Sequence, residues 1–246
     1  MNDIMIVPDV HGRTFWKEAK DFDGKIIFLG DYVDPYTHYE DVTYEDALAN
    51  LKEIIEFAKV NENVVLLTGN HDMTYFIDPC VCECRTDWDN FPEIRNLFRD
   101  NASMFKLAHY ENYNGKDIIF THACLHDAWL VSSGCICEDA KSKVYWLNEE
   151  FDKVKNNGFD KRDAFVHKLS VVSWERGGWG SIGSVVWGDV RECSGFLKDE
   201  SKPINIFGHT QLNEDGAVAN IGNCFCIDSR KCFSLNELLN KYENAK

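Results

Sequence analysis

Val64-Val65-Leu66-Leu67-Thr68-Gly69-Asn70-His71-Asp72 joins two kinds of sequence at one point. The apolar, partly β-branched run Val64–Leu67 has the length and composition of a strand buried on both faces. The polar quartet Gly69-Asn70-His71-Asp72 follows at once. Upstream, Tyr44 to Val60 sets Leu48, Leu51, Ile54, Ile55 and Ala58 at helical spacing, with Glu and Lys between them. That spacing predicts an amphipathic helix. A helix leading into a buried strand is the unit of an α/β sheet.

The same join recurs along the chain. Ile4-Met5-Ile6-Val7 runs into Asp9-Val10-His11, and Ile26-Ile27-Phe28-Leu29 into Gly30-Asp31-Tyr32-Val33-Asp34. Ile118-Ile119-Phe120 runs into Thr121-His122, and Ile204-Asn205-Ile206-Phe207 into Gly208-His209-Thr210-Gln211. Further helices are predicted after Phe91 and over roughly Lys141 to Lys155. In open α/β sheets, functional groups collect just beyond the carboxyl ends of the strands. These segments are therefore expected to meet in one crevice. A lone Asp-x-His or Gly-Asn is common, so the information lies in their joint occurrence.

The chain has 246 residues, 44% hydrophobic and 27% charged, which suits a globular protein with a sizeable core. We expect one domain over 1–246. Segments near 80–114 and 125–203, richer in charge, Cys and Trp, read as insertions over the active edge. Gly177-Gly178-Trp179-Gly180 reads as a flexible or tightly turning loop. No apolar run is long enough to span a membrane. The start, MNDIMIVPDVHG, lacks the pattern of a signal peptide, so a cytoplasmic location is expected. A net charge of −15 disfavours nucleic-acid binding. Among ten cysteines, Cys80, Cys82 and Cys84, then Cys135 and Cys137, then Cys224 and Cys226 alternate. Cys-x-Cys fits a structural zinc site poorly, so these read as reduced thiols packing as small hydrophobes, with zinc binding as the rival. His38, His109, His126 and His167 match no motif and read as surface or structural.

Asp, His and Asn together make a mixed nitrogen and oxygen ligand set. Such sets suit manganese, iron, zinc or nickel better than calcium. Two such ions about 3.5–4 Å apart can activate a water and hold both oxygens of an in-line phosphoryl displacement.

In combination, the five segments resemble the calcineurin-like metallophosphoesterase superfamily, most of all bacterial and phage relatives of the phosphoprotein phosphatases. The resemblance implies an α/β (α+β) sandwich of two mixed β-sheets flanked by helices, with insertions capping the active edge. It implies that Asp9 and His11 bind a first metal, Asp31 bridges two, and Asn70, His122 and His209 bind the second. His71 would be the general acid, oriented by Asp34. The ions would be divalent transition metals, manganese foremost, with iron, zinc, nickel or magnesium as alternatives. Two departures stand out. Gln211 replaces the last His of the Gly-His-x-His that many members carry, and could itself ligate the first metal. Asp34-Pro35-Tyr36 stands where Asp-Arg-Gly is typical, which removes an arginine that would clamp phosphate. Arg13, Arg191 and Arg230 are the candidates to replace it. The implied activity is two-metal hydrolysis of phosphate esters on a phosphorylated protein, nucleotide or small molecule, in the manner of serine/threonine phosphoprotein phosphatases. Hydrolysis of dinucleoside polyphosphates or nucleotide pyrophosphates is the alternative, and an inactive binding scaffold the least favoured.

Overall fold

The computed structural model of the protein describes residues 3–77, 84–194, 198–199 and 201–244. Two mixed five-stranded sheets form its centre. The first is built on β1 (Ile4–Val7), β2 (Lys25–Phe28), β3 (Val64–Leu67) and β4 (Phe105–Lys106), all parallel. The second takes β5 (Ala108–Tyr113), β6 (Lys116–Thr121), β7 (Ile204–Phe207), β8 (Ala219–Ile221) and β9 (Cys224–Cys226) in the order β5-β6-β7-β9-β8. There β6, β7 and β9 run parallel while β5 and β8 are antiparallel edges. β10 (Phe233–Ser234) returns to pair antiparallel with β1 and leads into a terminal helix.

Side-chain alternation along the strands explains the layering. Ile4, Ile6, Ile27, Leu29 and Leu67 of the first sheet pack against Ile118, Phe120, Ile204, Ile206 and Phe225 of the second. On the other face, Val7, Ile26, Phe28 and Leu66 pack on Leu51, Ile54 and Ile55 of α1 (Tyr44–Val60). The expected helix is thus found with its apolar stripe inward. Its start is fixed by a capping box, in which Thr43 Oγ1 accepts from the Asp46 amide and Asp46 Oδ2 from the Thr43 amide, both at 3.0 Å.

The remaining helices are α2 (Asn70–Phe76), α3 (Phe91–Asp100), α4 (Asp127–Ser133), α5 (Ala140–Asn156), α6 (Ala164–Leu169) and α7 (Leu235–Asn244). The segments read as insertions near 80–114 and 125–203 prove composite. The first ends in β4 and β5, so its last residues are sheet. β5 is an edge strand with β6 as its neighbour, and its half-buried, polar Ala-His-Tyr-Glu-Asn-Tyr sequence hides it. Helix α5, in the second, lies against β5, where Asn148 Nδ2 donates to Ala108 O at 2.9 Å. Only the part from about 171 to 194 reaches over the strand ends. There Gly177, at φ 79°, closes a tight turn in which the Gly178 amide donates to Ser173 O at 2.8 Å.

Candidate metal centre

The loops leaving β1, β2, β3, β6 and β7 meet at one end of the sandwich. They bring Asp9, His11, Asp31, Asn70, His71, His122 and His209 together, each buried. Asp31 lies at the middle. Its Oδ1 accepts the His71 amide at 2.9 Å, and its Oδ2 stands 3.5 Å from His11 Nε2 and 3.6 Å from His122 Nε2. Asp9 accepts the His209 amide on both oxygens at 3.0 Å. The glycines before the ligands are required by these approaches. A Cβ on Gly69 would sit 2.1 Å from Asp31 Oδ1, and one on Gly208 would sit 1.9 Å from Asp9 Oδ1. The backbone is bent hard here as well: His11, Asp31, Asp34 and His209 have φ of 45°, 51°, 60° and 64°. Asp72 accepts the amides of Gly69, Asp31 and Tyr32 at 2.8, 2.9 and 3.0 Å. It ties the second loop to the third.

Hydrogen bonds fix which atoms face the centre. His11 Nδ1 donates to Val33 O at 2.9 Å, and His122 Nδ1 donates to Leu29 O at 3.0 Å. Each imidazole then keeps a lone pair on Nε2, turned towards Asp31 Oδ2. Asn70 Nδ2 donates to Cys84 Sγ at 3.1 Å, which leaves Asn70 Oδ1 facing His122 Nε2 at 3.0 Å. His209 Nδ1 is 3.2 Å from His122 Nε2, and His209 Nε2 is buried with no hydrogen-bond partner among the described residues. Acceptors pointing at acceptors in a buried space are repulsive unless a cation lies among them. The donor set therefore fits divalent metal ions, and two overlapping triads, His11-Asp31-His71 and Asp31-His122-His209, could each hold one. Burial, foremost, holds the His11, His122 and His209 imidazoles below their ordinary range, so they stay neutral and able to ligate. Burial opposes ionisation of Asp31, but His122, His71 and His11 outweigh it and the net shift is downward.

A profile described as calcineurin-like phosphoesterase matches residues 4–213. The chain belongs to the calcineurin-like phosphoesterase family. No curated protein matches it. In fold it is similar to a mutant of a cold-active protein tyrosine phosphatase, with a TM-score of 0.59 at 16% identity over 93% of this chain and 71% of the other. A protein serine/threonine phosphatase from Saccharomyces cerevisiae aligns with a TM-score of 0.46 at 14% identity, over 92% of this chain and 66% of that one. As a calcineurin-like phosphoesterase the chain is a metal-dependent phosphoric ester hydrolase, and the sandwich is the fold its sequence implied.

Other expected residues of this phosphoesterase fall differently around the centre. His71 Nδ1 donates to Asp34 Oδ2 at 2.8 Å, while Tyr75 Oη and the Asp87 amide donate to Asp34 Oδ1 at 2.5 and 3.1 Å. Gln211 is exposed, whereas the clustered residues are buried. The three arginines expected to grip phosphate are each paired with carboxylates, and Arg13 stays beside the centre, its Nη1 donating to Asp9 O at 3.4 Å. Arg13 is held by both oxygens of Glu40 at 2.7 and 2.8 Å, Arg191 by Asp189 and Glu175 at 2.8 and 3.1 Å, and Arg230 by Asp215 at 2.8 Å. The structure brings in two others. Arg85 lies 3.6 Å above the Tyr36 ring and donates to Asp34 O at 3.0 Å. Arg176 donates to His209 O at 2.7 Å and pairs with Asp189 at 2.8 Å. Both are close enough to act on the centre's imidazoles: Arg85 lowers His11 and His71, and Arg176 lowers His122 and His209. Neither sits in a motif. Their only sequence signal was a place in segments suspected of covering the site.

The cysteines are mostly packing. All eight described ones are unbonded thiols. Cys80 and Cys82 lie outside the described residues. His126 caps α4, its Nδ1 accepting the Ala128 amide at 3.1 Å. No described helix is long and apolar enough to cross a membrane.

Proposed function

We propose that this phosphoesterase hydrolyses phosphate monoesters, of the kind found on phosphorylated serine or threonine, with two divalent transition-metal ions, manganese foremost. Asp9, His11 and Asp31 would hold one ion, and Asp31, Asn70, His122 and His209 the other. The observation that carries this reading is Asp31 Oδ2, flanked at 3.5 and 3.6 Å by the unprotonated nitrogens of His11 and His122. A carboxylate oxygen in that position suits a bridge between two cations. When bound, the ions would neutralise phosphoryl charge and lower the pKa of the attacking water.

The chain's own residues supply the rest. His71 is placed to give its Nε2 proton to the departing alkoxide. Asp34, held by Tyr75 and the Asp87 amide, fixes the ring and its tautomer. Arg85 takes the role that Pro35 cannot fill: its guanidinium, 3.6 Å above the Tyr36 ring that neighbours His11, offers donors to the phosphate oxygens. Arg176 offers a second positive charge on the other flank.

One observation favours a second reading. Trp174 and Trp179, in the segment that supplies Arg176, are 70% and 94% exposed, and such rings could stack a base. That suits a dinucleoside polyphosphate or nucleotide pyrophosphohydrolase. The test is turnover of p-nitrophenyl phosphate, a phosphoserine peptide and a diadenosine polyphosphate with manganese. Fast turnover of the first two, lost in Asp31→Asn and His71→Asn, supports the main reading. Turnover of the dinucleotide alone supports the second. Undiminished activity in both variants overturns the site.

A further inference from the structure

Behind the hydrolytic centre lies another cluster, made of residues outside its motifs. Cys124 lies two residues beyond His122, Cys193 ends a 3-10 turn (Val190–Cys193), and Cys224 opens β9. Their Sγ atoms lie within 4.8 Å of one another, and those of Cys124 and Cys193 are 2.7 Å apart. All three side chains are buried. Val190, Phe207, Leu212, Ala219 and Ile221 surround them. Sequence spacing concealed the cluster, because Cys124 and Cys193 belong to no alternating pair.

Apolar packing alone would be served by alanine or valine at such positions. Three sulfurs from distant segments, all turned to one point, form a soft donor set. We propose that Cys124, Cys193 and Cys224 bind a single Zn²⁺ as a structural site, separate from the hydrolytic ions. Binding forms three S–Zn bonds and releases the protons of whichever thiols are still protonated to solvent. The His126 imidazole, close enough to act on the Cys224 thiol, or else a water, completes four-coordination. Zn–S bonds of about 2.3 Å place sulfurs about 3.8 Å apart around a tetrahedral ion, so the Cys124–Cys193 pair opens by about 1 Å on binding. The ion would staple three pieces together: the loop that carries His122, the turn that begins at Asp189, and the second sheet at β9. Asp189 in turn holds Arg176 at 2.8 Å.

Cobalt distinguishes this site from the hydrolytic one, because only thiolate ligands give sulfur-to-cobalt charge-transfer absorption in the near ultraviolet. Metal-stripped, reduced full-length protein is titrated with Co²⁺ alone. The band is expected in the parent protein and in Asp31→Asn, is displaced by Zn²⁺, and is lost in Cys193→Ser and Cys224→Ser. Cys135→Ser, a buried thiol elsewhere, keeps it. Should a serine variant fail to fold by circular dichroism, X-ray absorption at the zinc edge of Asp31→Asn decides, with about three sulfur neighbours expected. Absence of the band from reduced parent protein overturns the proposal. So does a band indifferent to Cys193 and Cys224, a zinc edge showing only nitrogen and oxygen, or a Cys124–Cys193 disulfide in the protein as purified.

Discussion

His71 and Asp34 show how neighbours decide the state of one side chain. Burial works against a charged imidazole, yet Asp31 and the hydrogen-bonded Asp34 outweigh it and raise His71 above its ordinary range. The other three imidazoles of the cluster go the opposite way. One fold thus holds three neutral imidazoles and one that keeps its proton more readily within a few ångströms, the kind of separation that acid catalysis uses. His71→Asn should lower kcat by about 10²–10⁴-fold in steady-state assays with an aryl phosphate. Arg85→Ala should instead act mainly on KM. Losing charge-assisted bonds of about 1.5–3 kcal/mol predicts a rise of about 10–100-fold, while Arg191→Ala, already paired and exposed, should leave KM within a factor of two or so. His109, remote from the centre, offers a pH test. Burial, foremost, lowers it from 6.5, although Glu111 accepts from it at 2.7 Å and pulls it upward. A group lowered on folding binds its proton more readily when unfolded, so its contribution is present above pH 6.5 and is lost as pH falls through the folded value. NMR titration should find His109 below its ordinary range, and Glu111→Gln should lower it further.

At the scale of elements, α1 owes its start to Thr43. Thr43→Ala removes the side-chain half of the capping box and should cost about 1 kcal/mol, lowering the melting temperature by about 2–4 °C without touching activity. That helix, together with β1, β3 and β7, was legible because a periodic apolar stripe or a short β-branched run can hardly be read otherwise. The ligand loops were legible for a related reason, since each polar motif abutted its strand. What stayed hidden lacked period or proximity. β5 alternates weakly because, at the edge of its sheet, His109, Tyr110 and Glu111 are only half-buried whichever face they lie on. Arg85 and Arg176 lie in irregular segments, where the direction of a side chain depends on the tertiary path and not on spacing. The converging thiols Cys124, Cys193 and Cys224 are 69 and 31 residues apart, so only the folded chain relates them.

For the whole molecule, the gathering of buried carboxylates matters most. Asp9 and Asp72 are raised well above the usual range, by burial first and by other carboxylates next. Burial pushes Asp228 up to about 7 even though Arg13 opposes it. Divalent ions would relieve this crowding. A chelator should therefore lower the melting temperature, and manganese at about 100 times its dissociation constant should restore about 2.7 kcal/mol. A scaffold with no metal would show no such shift. The left-handed backbone at His11, Asp31, Asp34 and His209 carries this further. Non-glycine residues held there cost about 1–3 kcal/mol each, and the rest of the fold sustains them. Fitness of the site and ruggedness of the chain then pull in opposite directions. Asparagine accepts the left-handed region readily and presents no ring nitrogen without a partner, so metal-free His209→Asn should melt no lower than the parent while turning over nothing. Selection for heat resistance alone would be expected to wear away these bends first, and a library enriched for stability should become poorer in phosphatases.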